Sequence, residues 1–470
     1  MKWKIIKIKK KINISVFLLY HLSMRKIWVV FLSLIFAGNV YGFEIVYPKT
    51  KNPVINSNTT FFIGSSDEPV TINGNNVSLH SSGGFAYFVK LPQAINTFTI
   101  KDKNKTEVYT IKKNIPQKAS IHQKFVEYKE IKPIMVNVDN TPLRSTPVDG
   151  GINRISHLQK GVLLTADGET CGFYRVKLND KRGWMSKKNV VQTEPFNPAV
   201  INKYFFKENK NEYILTFELD KKVPYKITEG HLIGLDFYNT NKISHFSFPY
   251  YEKTGSKKLW GYLGQYEGNN FILKIRKPPK PNKTKTLDGI TITVDSGHGG
   301  REHGAIGCLG HKEKDVVLQT AKYLEKELKA KGANVVMTRT DDSYVGLYDR
   351  VNIANKNNSV FFVSIHNNAL PDSLNPNEHR GTSVYYYYDE ARDFGHTILN
   401  TMTKELGTKN DGLRQQSFAV IRNTGALSIL IEVGYLINPE DNSILINDGF
   451  QKNTAKSIAN GIEKYVLNSI

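Results

Sequence analysis

Cysteine is nearly absent from this chain: two residues in 470, Cys171 and Cys308. That excludes a disulfide framework and a structural zinc site built from closely spaced cysteines, so a chain of this length relies on its hydrophobic cores. A comfortable membrane span is missing too. The apolar run from Ile27 to Ala37 is shorter than the roughly 20 residues a bilayer requires. Acids are scarce, with 43 Asp and Glu against 64 Lys and Arg and a formal net charge of +21.

What is there begins with a leader. From Met24 the chain shows a basic start (Arg25, Lys26), the apolar run, and small residues Val40 and Gly42 at the −3 and −1 positions of a signal-peptidase site. Residues 1–42 therefore read as a signal region with Met24 as the true start; an uncleaved anchor is the alternative. With no cysteine at the cleavage site, neither a lipid anchor there nor a stable membrane anchor after cleavage is expected. Residues 1–42 carry eight of the Lys and Arg and none of the acids, so their removal leaves +13. In an exported protein this charge favours anionic envelope polymers over nucleic acid, or serves as a solubilising surface.

At 40% hydrophobic content the remainder is globular, with room for two to four domains. Residues 43–115 alternate in period two, with Asn73-Gly74 marking a hairpin, and read as a β-sandwich-like module. Residues 132–195 contain five short strand-like runs. Through "PLRSTP", the "KG" turn, Phe173-Tyr174 and Gly183-Trp184 they resemble the bacterial SH3-like domains of cell-wall enzymes, which implies a wall-binding module; a spacer barrel is the plainer alternative. Residues 196–276 are β-rich, and through "EYILTFELDKKVPYKIT", "LIGLDFYN", "HFSFPYY" and "GNNFILKIRK" they are similar to the accessory domains placed ahead of amidases in bacterial envelopes. Their Tyr250, Tyr251 and Trp260 could stack on sugars, although core packing is the better expectation. Residues 277–289, rich in proline and lysine, read as a basic linker.

From residue 290 to 470 strand-like runs alternate with helix-period segments. The expected strands are "GITITVD", "NVVMTRT", "SVFFVSIH", "GTSVYYYY", "FAVIRN" and "LSILIEVGYL", with helices over 313–331, 347–357, 389–406 and 450–467. The fold class is thus multidomain: N-terminal all-β modules, then a C-terminal α/β domain whose mostly parallel sheet is flanked by helices in a phosphorylase/hydrolase-like arrangement. Ligands in such sheets collect where strands end. His298 follows the first strand inside "SGHGG", His366 ends "VFFVSIH", Glu432 lies in "SILIEVGYL", and Glu313 opens the first long helix.

Two neutral imidazoles and a carboxylate, with a fourth position left to water, form the ligand set of a catalytic zinc. Glycines beside His298 allow a sharp turn and leave space for a metal and a substrate chain. Glu432, flanked by aliphatic residues, is expensive to bury unpaired. It is either one half of a buried salt bridge or a general base whose carboxyl is raised toward working pH.

Together "VDSGHGG…GAIG", "KEKDVVLQTAKYL", "VVMTRTDD", "LYDRVNIAN", "FFVSIHNNA" and "ILIEVGYLIN" resemble the zinc-dependent N-acetylmuramoyl-L-alanine amidases over essentially all of 290–468. The resemblance implies one Zn2+ per catalytic domain held by His298, Glu313 and His366, with Glu432 catalytic. It also implies peptidoglycan as substrate, cleaved between the lactyl group of N-acetylmuramic acid and the first L-alanine of the stem peptide. The family usually has proline where Ser296 stands, a departure that bears on loop stiffness and not on ligation.

Arg350 and Asn368 are candidate substrate contacts, and Arg339 is expected in a structural ion pair. His303, His311, His379 and His396 read as solvent-facing or supporting, with His311 the strongest rival ligand, and Cys308 as a small apolar side chain. Some envelope amidases insert a plugging helix after the second ligand histidine. Here only residues 367–380 intervene before Gly381, so an open site is expected, with residues 285–470 turning over near the rate of the full chain. The protein is expected to be an exported monomer in the periplasm or in the cell wall and extracellular space. A zinc peptidase acting within stem peptides and a non-catalytic wall-binding protein are the competing functions.

Overall fold

The computed structural model describes residues 42–115, 124–241, 244–256, 258–282 and 284–468. The expected signal region lies outside them up to residue 41. Within the described residues no helix is long and apolar enough to cross a membrane.

The protein is multidomain, with β-strands filling its N-terminal part. Residues 44–113 form a three-stranded and a five-stranded sheet that close over Phe62, Phe85, Phe98, Tyr109 and Ile111. The alternation in the sequence is literal here: Ile95–Lys101 exposes every second residue and buries the others. The next stretch has seven antiparallel strands, from Val126–Val136 to Val190–Gln192, where the sequence suggested five. Val126–Val136 starts before residue 132, and its buried positions lie only at its far end, so the first half carries little hydrophobic signal.

Residues 201–276 add a four-stranded and a three-stranded sheet. One hydrophobic core runs from Ile134 to Ile275 with no break at residue 196. Tyr250 is buried in it, its hydroxyl donating to the Arg276 carbonyl at 2.8 Å. Trp260 reaches instead into the C-terminal core, with ring centroids 5.9 Å from Phe361 and 5.5 Å from Tyr465. Neither ring is available to a sugar. The linker is pinned as well: Leu287 is buried in that same core and its amide donates to the Lys331 carbonyl.

The C-terminal α/β region contains strands β1 (Thr291–Ser296), β2 (Asn334–Met337), β3 (Phe361–Asn368), β4 (Thr382–Tyr386), β5 (Asn410–Gln415) and β6 (Leu427–Tyr435). Its helices are α1 (Glu313–Ala330), α2 (Leu347–Lys356), α3 (Arg392–Leu406), α4 (Pro439–Leu445) and α5 (Asp448–Leu467). The sheet order is β2-β1-β3-β6-β4-β5, parallel except between β6 and β4. Strand β6 is buried at all nine positions, which is why it reads as a continuous apolar run and not an alternating one. Helix α1 buries Val316, Val317, Thr320, Ala321, Leu324 and Leu328 at helical spacing.

One expectation needs correction. "FAVIRN" is no strand: Ala419–Ile421 is a 3-10 turn that buries Val420 and Ile421. The strand in that region is β5, whose sequence "NDGLRQ" has no apolar pattern and is held by its ladder to β4. The segment after β3 holds only a 3-10 turn, Pro376–Glu378, and no plugging helix. It does not hang free, however. Tyr47 and Thr60 donate to the Asp372 carboxylate at 2.8 and 2.5 Å, and Asn377 donates to the Ala86 carbonyl, so the first β module braces this loop.

Candidate metal centre and its supports

The parallel register of the sheet puts the catalytic candidates on one edge. Gly297 and His298 follow the end of β1, and His366 on β3 is the rung partner of Glu432 on β6. His298, Glu313 and His366 each offer a ligand atom, all within 4.8 Å of one another, the one such cluster among the described residues. Glu313, the first residue of α1, lies between the two rings. His298 Nε2 is 3.1 Å from its Oε2 and His366 Nδ1 is 2.9 Å from its Oε1. The amides of Ala305 and Asn367 donate to the same two oxygens. Burial pushes this carboxyl up, but its hydrogen bonds to the two histidines more than offset that and hold it well below the usual range.

The loop geometry answers why an imidazole sits among glycines. His298 itself adopts a left-handed φ of 59°, which costs a side-chain-bearing residue free energy and persists only where surroundings fix it. A Cβ at Gly297 would lie 2.2 Å from the His366 ring, and one at Gly304 2.3 Å from Glu313 Oε2. The cradle therefore has room for the rings and the carboxylate only because these positions lack side chains.

Two buried arginines clamp the loop. Arg339 donates to the carbonyls of Ser296, Gly297 and Lys314. It bonds carbonyls, not the acid that the sequence suggested. Arg350, 3% exposed, donates to the carbonyls of Val345, Ser296 and His298 and pairs with Asp295 at 2.7 Å. Its guanidinium is turned into the fold. Thr338 and Ser364 donate to the same Asp295 carboxylate. Burial alone would raise that carboxyl; Arg350 and the two hydroxyls together hold it low. Asp295 is the functional support that sequence reading passed over. Its signal was an acid inside the apolar run "ITVDS", one rung across from Ser364.

Glu432 is 9% exposed and its Oε2 has no hydrogen-bond partner. Burial pushes its carboxyl well above the ordinary value, and the Glu313 charge adds to the shift. It has no ion-pair partner among the described residues, so the buried salt-bridge alternative is not what the structure contains. Asn368, half-buried, stands two residues beyond His366 past a register shift in the ladder. His303, His311, His379 and His396 are not in the cluster. Cys308 is fully buried against Phe61, Ile63 and Leu309, and burial raises its thiol to about 12, as fits an apolar role.

The donor set fits a divalent metal. Two imidazoles and one carboxylate converge, the cradle admits no added Cβ, and an unpartnered carboxylate oxygen stands one strand away.

Residues 292–464 match the family model for N-acetylmuramoyl-L-alanine amidase. A curated relative, the probable cell wall amidase LytH of Staphylococcus aureus, is 39% identical over 216 residues, covering 46% of this chain and 69% of that one. Among solved structures, the amidase AmiC2 of Nostoc punctiforme is 38% identical, covering 38% of this chain and 99% of its own, with a TM-score of 0.37. The catalytic domain of CwlV from Bacillus (Paenibacillus) polymyxa is 33% identical, with coverage of 38% and 99% and a TM-score of 0.36.

Proposed function

The chain belongs to the N-acetylmuramoyl-L-alanine amidase family, and from that premise we propose that it is an exported peptidoglycan hydrolase that uses zinc to cut the bond between the lactyl group of N-acetylmuramic acid and the L-alanine of the stem peptide. The observation that carries this is the convergence of His298, Glu313 and His366 within 4.8 Å, with the unpaired carboxylate of Glu432 on the neighbouring rung.

His298, Glu313 and His366 would hold the zinc, which when bound would supply Lewis acidity to the scissile carbonyl and to the attacking water. Glu432 does the proton work. Its desolvated carboxylate accepts the proton of the water as the new C–O bond forms. It then returns that proton to the alanine nitrogen as the C–N bond breaks, leaving a lactyl carboxylic acid and a free amine, and the acid's remaining proton passes to that amine at neutral pH. Arg350 and Arg339 act one step back, holding the His298 loop against the strain of its left-handed residue. Asn368 is assigned to substrate contact at the strand end. The modules over 43–115, 132–195 and 196–276 serve wall binding and bracing, and the chain works as a monomer on peptidoglycan in the periplasm or cell wall.

Digestion of purified wall by the full chain, followed by mass spectrometry, tests the assignment. Intact stem peptides with a free L-alanine amine are expected. Fragments cut between stem residues would establish a peptidase instead, and wall binding with no release at all would leave a non-catalytic binder.

A further inference from the structure

A cleft of about 860 Å³ opens where three parts of the molecule meet. One wall is Ile155, Ser156 and His157, on the strand Arg154–Leu158. A second comes from the accessory strands at Tyr225 and Tyr262, and a third from α2 and the turn at Arg422–Thr424. Its volume is in the range that ligand clefts occupy. Helix α2 presents Tyr348, Val351, Asn352 and Asn355 to it, one helical face. The opposite face of that helix sends Arg350 to the His298 carbonyl. The cleft and the metal centre thus share a helix without sharing a residue.

Two polar atoms in its lining are buried without a partner, from different parts of the chain. Ser156 Oγ and Asn423 Nδ2 have no hydrogen bond, at residue exposures of 9% and 4%. The orientation of Asn423 is fixed, because its Oδ1 accepts the Gly425 amide at 3.0 Å, so its NH2 group is left as a donor. Buried donors without acceptors are costly.

The charge beside them is unbalanced in the same sense. Arg154 Nε and Arg422 Nη1 both reach Ser417 Oγ, at 3.5 and 3.3 Å, and no carboxylate stands within ion-pair distance of either among the described residues. Arg144, nearby, is already paired with Asp149. Burial lowers the Arg154 guanidinium and repulsion from Arg422 and Arg144 adds to it. Burial and the same arginines lower His157 to about 3, so it stays neutral in this basic corner.

We propose that this cleft is a second ligand site that holds a peptide by its free carboxylate, with Arg422 in its lining and Arg154 beside it taking the charge and Asn423 and Ser156 donating to its oxygens. Side-chain amides such as Asn140, Asn189 and Asn352 in the lining both donate and accept, which is the pattern of a peptide backbone. Asp139 in the same lining repels a polyanion. The identity of the peptide, a peptidoglycan stem, rests on the function proposed above; the site itself does not.

Isothermal titration of the full wild-type chain with the tripeptide L-Ala-γ-D-Glu-L-Lys and with its carboxamide analogue tests the site. The acid is expected to bind at least 10-fold more tightly than the amide. The double variant Arg154→Gln, Arg422→Gln is expected to erase that preference while hydrolysing a soluble muropeptide as wild type does. Asn423→Asp, nearly isosteric, is expected to erase it too, and covers the case in which the double variant does not fold. Equal binding of acid and amide, no binding of either, a preference that survives in the folded variants, or displacement of the peptide by polyglycerol phosphate would each overturn the proposal. Absence of muropeptide hydrolysis by wild type would overturn the reaction assigned above and leave the titration readable.

Discussion

His366 and Glu432 occupy one rung of the parallel ladder between β3 and β6, so their side chains leave the sheet on the same face. A residue suited to hold a metal and a residue suited to move a proton are therefore fixed as neighbours by backbone hydrogen bonds, not by loops. Glu313 completes the arrangement from the start of α1, where the helix dipole also favours its negative charge.

Glu432→Gln should abolish hydrolysis, a loss of at least about 10²-fold for a general base, while wall binding persists. It should also stabilise the metal-free protein at neutral pH by about 1–3 kcal/mol, the usual cost of an unsatisfied buried group. Because the folded carboxyl is raised, its stabilising contribution is complete below the unfolded value and is lost as pH rises. The advantage of the variant should thus vanish near pH 4 and grow toward pH 8 in urea denaturation with chelator present. No gain at pH 8 would contradict the burial of an unpaired acid.

Arg350→Ala should destabilise the fold by about 3–5 kcal/mol, because it strands the Asp295 carboxylate in the core, and should lower activity through the released His298 loop. The Asp295 carboxyl is held low in the fold, so it stabilises above the unfolded carboxyl value, and that contribution is lost as pH falls through the folded one. Acid denaturation curves of the variant should be correspondingly flatter below pH 4. Arg350→Lys should rescue little, since one ammonium cannot replace bonds to Asp295 and three carbonyls.

Removing metal should stop turnover, and zinc should restore it. Zinc at 1,000 times its dissociation constant should stabilise the fold by about 4 kcal/mol. His366→Ala should lose that thermal shift. A wild-type melting curve indifferent to zinc and chelator would remove the metal centre.

A fragment of residues 285–470 should melt well below the full chain, in contrast to the modular behaviour the sequence suggested. It lacks Trp260, whose ring fills the catalytic core, and loss of such a side chain costs about 3–5 kcal/mol. It also lacks Phe61 and Ile63, which cover Cys308, Leu309 and Ile437. A fragment beginning at residue 200 should recover the first part of the loss. Differential scanning fluorimetry of the three proteins separates the contributions, and equal melting temperatures would show that the modules only rest on the surface.

The sequence by itself determined the order of strands and helices in the C-terminal region wherever periodicity was strong, and it picked out His298 and His366 past or at the ends of strand-like runs, Glu313 at the start of a helix and Glu432 inside an apolar run as candidates. It could not show β5, whose six residues lack an apolar pattern, or the turn inside "FAVIRN", because a short apolar run has the same composition in either state. The tertiary structure alone decided that Arg350 and Arg339 hold the loop from inside, since carbonyl partners leave no mark in a sequence. It alone decided that Trp260 crosses into the catalytic core and that Asp295, 55 residues from its arginine, anchors the site. Local pattern fixes which face of an element is apolar; only packing decides what meets it.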